Sequence, residues 1–239
     1  MTITLVRHGE VDEAYHRCYN GHNDIALSKK GKEEAKRLAR LLKGQTFDAI
    51  YSSDLRRCRE TTERILNTVI PAKAGIHKPQ HADNTNTLIP VSTGMTDQTT
   101  SSSYPLTASP HHLITPSPQT PIYTPALREK SWGRHEGMTF DAITEEEGLV
   151  YTDFLQWINT LDGEPYDSYI ARIRTFFTET LLQTPYDDVL VITHAGVIRV
   201  LIHLLQDISL EAAFSIDFPY SAYTTLDTET WEFGAIRCA

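Results

Sequence analysis

The run Asp188-Val-Leu-Val-Ile-Thr-His-Ala-Gly-Val-Ile-Arg199 decides the fold. Its first six residues form an almost continuous apolar stretch of β-formers, the pattern of a strand buried on both faces. Gly196 to Leu205 then reads as a helix, so strand passes to helix across Thr193, His194 and Ala195. Such a strand belongs to a sheet with helices on either side, and chemistry there collects beyond the carboxyl ends of the strands.

Outward from this unit the chain keeps alternating. Thr2 to Val6 is a strand by its Ile, Leu and Val content. Ser28 to Lys43 is a helix with Ser28 as cap, Ala35, Leu38, Ala39 and Leu42 on one face and Gly44 as stop. Phe47 to Tyr51 is a second strand, followed by a helix from about Asp54 to Leu66. Amphipathic segments follow near Phe140 to Thr160 and Glu164 to Leu182, and Tyr223–Asp227 with Thr230–Ile236 read as a terminal hairpin. The expectation is an α/β protein, a three-layer α/β/α sandwich around a mainly parallel sheet.

One stretch breaks the pattern. Residues 71–120 hold nine Thr, six Ser and seven of the twelve prolines, with Lys73, Lys78, Asp83 and Asp97 as the charged residues. So little apolar surface does not offset ordering entropy. The reading is one domain over 1–239, interrupted by a low-complexity, disordered insertion at about 68–120.

Composition narrows the function classes. Hydrophobic residues at 40% and charged residues at 22% are the balance of a globular chain. A net charge of -9 lacks the basic footprint of a nucleic-acid binder. No apolar run reaches the roughly 20 residues of a membrane helix, and no signal-like segment precedes Thr2, so the expected compartment is the cytoplasm. Cys18, Cys58 and Cys238 carry no metal-ligand spacing and are expected as free thiols.

The strand ends hold the chemistry. The first strand ends in Arg7, His8 and Gly9, and the later buried strand in Thr193, His194, Ala195 and Gly196. Two histidines at two strand ends can face one another, with glycines letting backbone approach a bound group. The second strand leads into Ser52-Ser-Asp-Leu-Arg-Arg-Cys-Arg59 at a helix start, where arginines and free amides favour an anion. Arg57 is the candidate of that cluster, whereas Arg56 and Arg59 read as solvated.

Five blocks together carry a resemblance: Leu5-Val-Arg-His-Gly-Glu10, Gly21 to Gly31, Tyr51 to Thr61, Leu127 to Gly137, and Thr193 to Arg199. In this order they resemble the histidine phosphatase superfamily, the phosphoglycerate mutase-like fold. The resemblance implies that His8 attacks phosphorus and becomes a phosphohistidine, with Arg7, Arg57 and His194 holding the phosphoryl oxygens. It implies Glu129 as general acid and then base, Asn20 and Gly21 as phosphate contacts, and a main-chain contact at Ala195. Ala14 departs from the family, which often has Asn or Asp there, so that contact is either missing or supplied by Asn20. The reaction implied is metal-independent hydrolysis of a phosphomonoester, with no cofactor and a small phosphorylated metabolite as the partner of a monomer or homodimer.

Within the family, the C-terminal blocks look most like alpha-ribazole phosphatases of cobalamin synthesis, and phosphoglycerate mutase is the alternative. A non-catalytic phosphate-binding protein is a further reading. A metal-dependent hydrolase would use His8, His194 and a carboxylate such as Glu10, but the flanking arginines oppose a divalent cation. Glu136 reads as a loop-fixing carboxylate and His203 as surface or partly buried. His111 and His112 lie in the insertion. Phe154, Trp157, Phe176 and Phe177 read as packing.

Overall fold

Val189, Leu190, Val191 and Ile192 are all fully buried, yet they enter two different cores. Val189 and Val191 pack with Ile3, Leu5, Ala49 and Tyr51 on one face of the sheet. Leu190 and Ile192 pack with Val6 and Ile50 on the other. Period-two alternation with both faces apolar produces the three layers. Each fully buried Leu, Ile or Val contributes roughly 1.5–3 kcal/mol, so β4 ties both cores to one strand.

The computed structural model describes residues 1–69 and 120–239. Five strands, β1 (Thr2–Arg7), β2 (Ala49–Ser53), β3 (Ile122–Thr124), β4 (Asp188–Thr193) and β5 (Tyr223–Asp227), lie in the order β3-β2-β4-β1-β5. All neighbours are parallel except β1 with β5. One face carries α1 (Lys29–Leu41) and α2 (Arg56–Val69), whose Leu38, Ala39, Cys58 and Ile65 fill the smaller core. The other core is built from α3 (Phe140–Glu147), α4 (Phe154–Thr160), α5 (Tyr166–Thr175), α6 (Ala195–Gln206) and α7 (Leu210–Phe214). This is the expected sandwich.

Local chemistry explains the boundaries. Ser28 Oγ accepts the Gly31 N–H at 2.9 Å and caps α1, and Gly44 turns the chain at φ +88°. The amphipathic segment after Phe140 is two helices. Gly148 at φ +63° closes α3, and Asp153 Oδ1 accepts the Gln156 N–H to open α4. After α5 the backbone continues as a π-helix over Phe176–Leu181. The expected terminal hairpin has one regular arm. β5 meets the segment after it as isolated bridges, Tyr223 with Arg237 and Leu226 with Phe233, rather than as a second continuous strand. The low-complexity stretch falls almost wholly outside the described residues, as do His111 and His112.

Register positions the site. Arg7 pairs with Thr193, so His8 and His194 leave adjacent parallel strands side by side, and the His8 N–H donates to the Thr193 carbonyl at 3.0 Å. Ser53 pairs with Thr124 on the outer side, and five residues later the chain reaches Glu129. No helix among the described residues is long and apolar enough to cross a membrane.

Candidate active site

The two histidines lie with ring centroids 5.1 Å apart, nearly edge to face, 6% and 1% exposed. His8 Nδ1 sits 2.8 Å from the Gly9 carbonyl oxygen. A carbonyl only accepts, so Nδ1 carries the proton and Nε2 keeps its lone pair. His194 is fixed differently. Its Nδ1 accepts the Arg57 Nε–H at 3.3 Å, so Nε2 carries the proton and donates to Ser53 Oγ at 2.9 Å. Burial, then Arg57, holds both imidazoles well below the ordinary histidine range, with Arg7 also acting on each. Both rings are neutral at pH 7.

Arg57 is 1% exposed and binds backbone as well as His194. It donates to the carbonyls of Asn23 at 2.8 Å, Gly21 at 2.6 Å and Asn20 at 3.3 Å, leaving one of its five N–H groups uncommitted. The arginine therefore staples the 20–23 loop to the strand ends. Glu136 fixes the same loop from the far side, accepting the N–H groups of Gly21 and His22 at 2.7 Å and of Trp132 at 2.9 Å. Its loop-fixing reading matches this geometry.

Arg7 has a different arrangement. One Nη donates to the Phe218 carbonyl, the guanidinium lies 3.9 Å from the Tyr220 ring centre, and Nε is buried without a partner. A buried donor left unsatisfied costs about 1–3 kcal/mol, which a bound oxyanion would recover.

Glu129 enters from the opposite side. One carboxylate oxygen accepts the Tyr169 hydroxyl at 2.5 Å and the Lys130 N–H at 3.1 Å, and the other accepts the Gly196 N–H at the start of α6 at 3.0 Å. Tyr169 is fully buried, its hydroxyl pushed well above the ordinary range by burial and then by Glu129. One helical turn along, Arg172 grips Glu164 with two hydrogen bonds, 2.9 and 2.7 Å, and donates to the carbonyls of Ala126 and Arg128. The acid's backbone and carboxylate are thus both held from α5.

A cavity of about 220 Å³ joins these groups. Arg7, His8, Arg57, Glu129, His194, Ala195 and Asn20 line it, so seven of the eight expected site residues meet there. Gly21 does not reach the wall, because its N–H goes to Glu136 and its carbonyl to Arg57. The Asn20 side chain is spent on the Tyr15 carbonyl and Asn23. Ala14 is exposed on a turn away from the wall. Glu10 is occupied by Lys30 Nζ at 2.6 Å and Ser28, and no group of three or more potential metal ligands occurs among the described residues.

Sequence reading passed over Ser53, Tyr169, Arg199 and Tyr220. Ser53 and Arg199 lay within quoted blocks. Nothing local marked Tyr169, 40 residues from the carboxylate it touches.

Two expected results arise here. A Cβ on Gly196 would meet Glu129 Oε1 at 2.1 Å, although the helical backbone accepts alanine. Gly196→Ala should therefore displace the carboxylate and lower kcat by about tenfold or more with the fold retained. An unchanged kcat by steady-state assay would refute the placement.

The second concerns pH. Below about pH 6.5 unfolded histidines take up protons that buried His8 and His194 resist, so the unfolded state binds more protons and stability falls as pH falls. Thermal melts should show Tm dropping between pH 7 and pH 5, above the range where the lowered carboxyls of Glu10 and Asp54 titrate. A flat or rising Tm would contradict it.

Comparison with known proteins places this geometry. Residues 3–75 and 106–238 match the histidine phosphatase superfamily (branch 1). An adenosylcobalamin/alpha-ribazole phosphatase of Salmonella typhimurium is 23% identical over 230 residues, covering 95% of this chain and 90% of the relative. A 2,3-bisphosphoglycerate-dependent phosphoglycerate mutase of Methanosarcina mazei is 28% identical over 213 residues, covering 87% and 81%. The crystal structure of the alpha-ribazole phosphatase from Shigella flexneri superposes with a TM-score of 0.68 at 19% identity, over 100% of this chain and 95% of that one, which establishes the shared fold. With the family matched on both sides of residues 76–105, the chain belongs to the histidine phosphatase superfamily and is an enzyme of the phosphatase class.

Proposed function

We propose that the protein hydrolyses phosphomonoesters without a metal, through a phosphohistidine on His8. The observation that carries this is the Gly9 contact: a buried neutral imidazole whose Nδ1–H is held by the Gly9 carbonyl and whose Nε2 lone pair is left free, next in sequence to Arg7 with its unpartnered Nε. Nε2 attacks phosphorus as the ester P–O bond breaks, and Glu129, entering this step in its protonated form, gives that proton to the departing oxygen. Water then attacks the phosphohistidine, Glu129 takes its proton, and the P–N bond breaks to release phosphate. Arg7, the free N–H of Arg57 and the Ala195 amide surround the phosphoryl oxygens, and His194, both nitrogens committed to Arg57 and Ser53, orients Arg57 beside them. Three guanidinium groups, Arg7, Arg57 and Arg199, face one carboxylate in this cavity, a balance suited to a dianion.

Alpha-ribazole 5'-phosphate is the finer substrate reading, supported by the named relative. The domain reading extends this one: a single phosphatase domain spans both described stretches, and about 68–120 interrupts it. The test is turnover of a generic aryl phosphate with and without chelator, followed by a panel with alpha-ribazole 5'-phosphate and 3-phosphoglycerate. Chelator-resistant release of phosphate is expected. Phosphate binding without turnover of any ester would favour the non-catalytic reading, and net isomerisation of 3-phosphoglycerate the mutase.

A further inference from the structure

Besides a phosphoryl floor of Arg7, His8, Arg57 and His194, the cavity has an aromatic lining. Tyr19, Trp132, Phe214 and Tyr220 line it, with Val11 and Cys18 beside them. Four aromatic side chains from three separate stretches converge on one opening.

These rings are held in place. Tyr19 packs edge to face on Trp132 at 5.0 Å and accepts the Trp157 Nε1–H at 2.6 Å. Lys130, 1% exposed, sits with Nζ 4.2 Å from the Trp132 ring centre, and it does not line the cavity although Trp132 does. Phe214 rests on Phe154 at 5.2 Å, and Tyr220 on the Arg7 guanidinium. Rings braced by neighbours lose little freedom when a ligand stacks on them.

Charge is scarce in the same region. Arg199 is the one cation of the lining outside the phosphoryl floor, and its Nε and Nη2 are both given to the Ile216 carbonyl, at 3.1 and 2.8 Å. A compact leaving group with its own carboxylate would meet aromatic faces and a single half-committed arginine. A planar apolar body would meet complementary surface.

We infer that this aromatic part of the cavity is a leaving-group subsite for alcohols bearing a planar aromatic ring system, with Trp132 and Phe214 as specificity-determining residues. The inference rests on the phosphoryl reading of the floor.

The test compares 2-naphthylmethyl phosphate, butyl phosphate and 3-phosphoglycerate. The first two both release primary alkoxides, so leaving ability does not separate them. The wild-type protein should show at least about tenfold higher kcat/KM for the naphthylmethyl ester than for the butyl ester, and Trp132→Leu and Phe214→Leu should each reduce that ratio about threefold to tenfold. Leucine keeps apolar volume and removes the flat face.

Calorimetric titration with 2-naphthylmethylphosphonate and butylphosphonate, which cannot be hydrolysed, reads the subsite without turnover. If no ester is hydrolysed but the naphthyl phosphonate binds more tightly and Trp132→Leu removes the difference, the hydrolase reading falls and the subsite stands. If the esters are hydrolysed with no aromatic preference, or 3-phosphoglycerate is the best substrate, the subsite falls. A preference that survives both substitutions also overturns it.

Discussion

His8→Asn should lose turnover by about 10³-fold or more, since removing a nucleophile cannot be made good by the surrounding donors. Asparagine retains an N–H that can reach the Gly9 carbonyl, so the strand end is disturbed little while the basic nitrogen is gone. Rapid alkaline quench of the wild-type protein with labelled substrate should place acid-labile phosphate on the peptide containing His8. Label on the peptide containing His194, or a variant keeping more than a small fraction of activity, would defeat the assignment. His194 makes a clean comparison, because both its nitrogens are already paired with Arg57 and Ser53.

The second large effect concerns Glu129. Glu129→Gln should slow alkyl phosphates by about 10²–10⁴-fold and aryl phosphates far less, because a phenoxide leaves with little help from an acid. Part of that loss is positional, since a side-chain amide cannot accept from both Tyr169 and Gly196 as the carboxylate does. Tyr169→Phe separates the two. It keeps the carboxyl group and removes one tether, so it should show the same leaving-group bias at smaller size. Equal losses on alkyl and aryl esters in Glu129→Gln would mean that this residue transfers no proton.

The frame of the site was legible because its parts are short-range. β1 and β4 announce themselves by apolar runs, and their last residues are His8 and His194 with glycines near them. Parallel pairing then needs only its register for the two imidazoles to meet, and Arg7 opposite Thr193 supplies it. The backbone of residues 20–23 was not legible. Gly21 was expected against phosphate, but a carboxylate 115 residues away takes its amide. The same limit hid Tyr169, whose hydroxyl chemistry appears only once α5 is docked. The division between α3 and α4 was written locally, in Gly148 and the capping Asp153, beneath a hydrophobic pattern that runs on past both.

The grip of Arg172 on Ala126 and Arg128 has a consequence for how the catalytic acid tolerates change. The backbone leading into Glu129 is registered against α5, which follows it in sequence, as well as against β2 and Asp54, which come before β3. Added length ahead of Ile122 costs closure entropy that rises by only about 0.6 kcal/mol per doubling. A tug or a slack from that side is absorbed at three strand residues and one guanidinium. The acid is mechanically insulated, clamped between β2 on one side and α5 on the other.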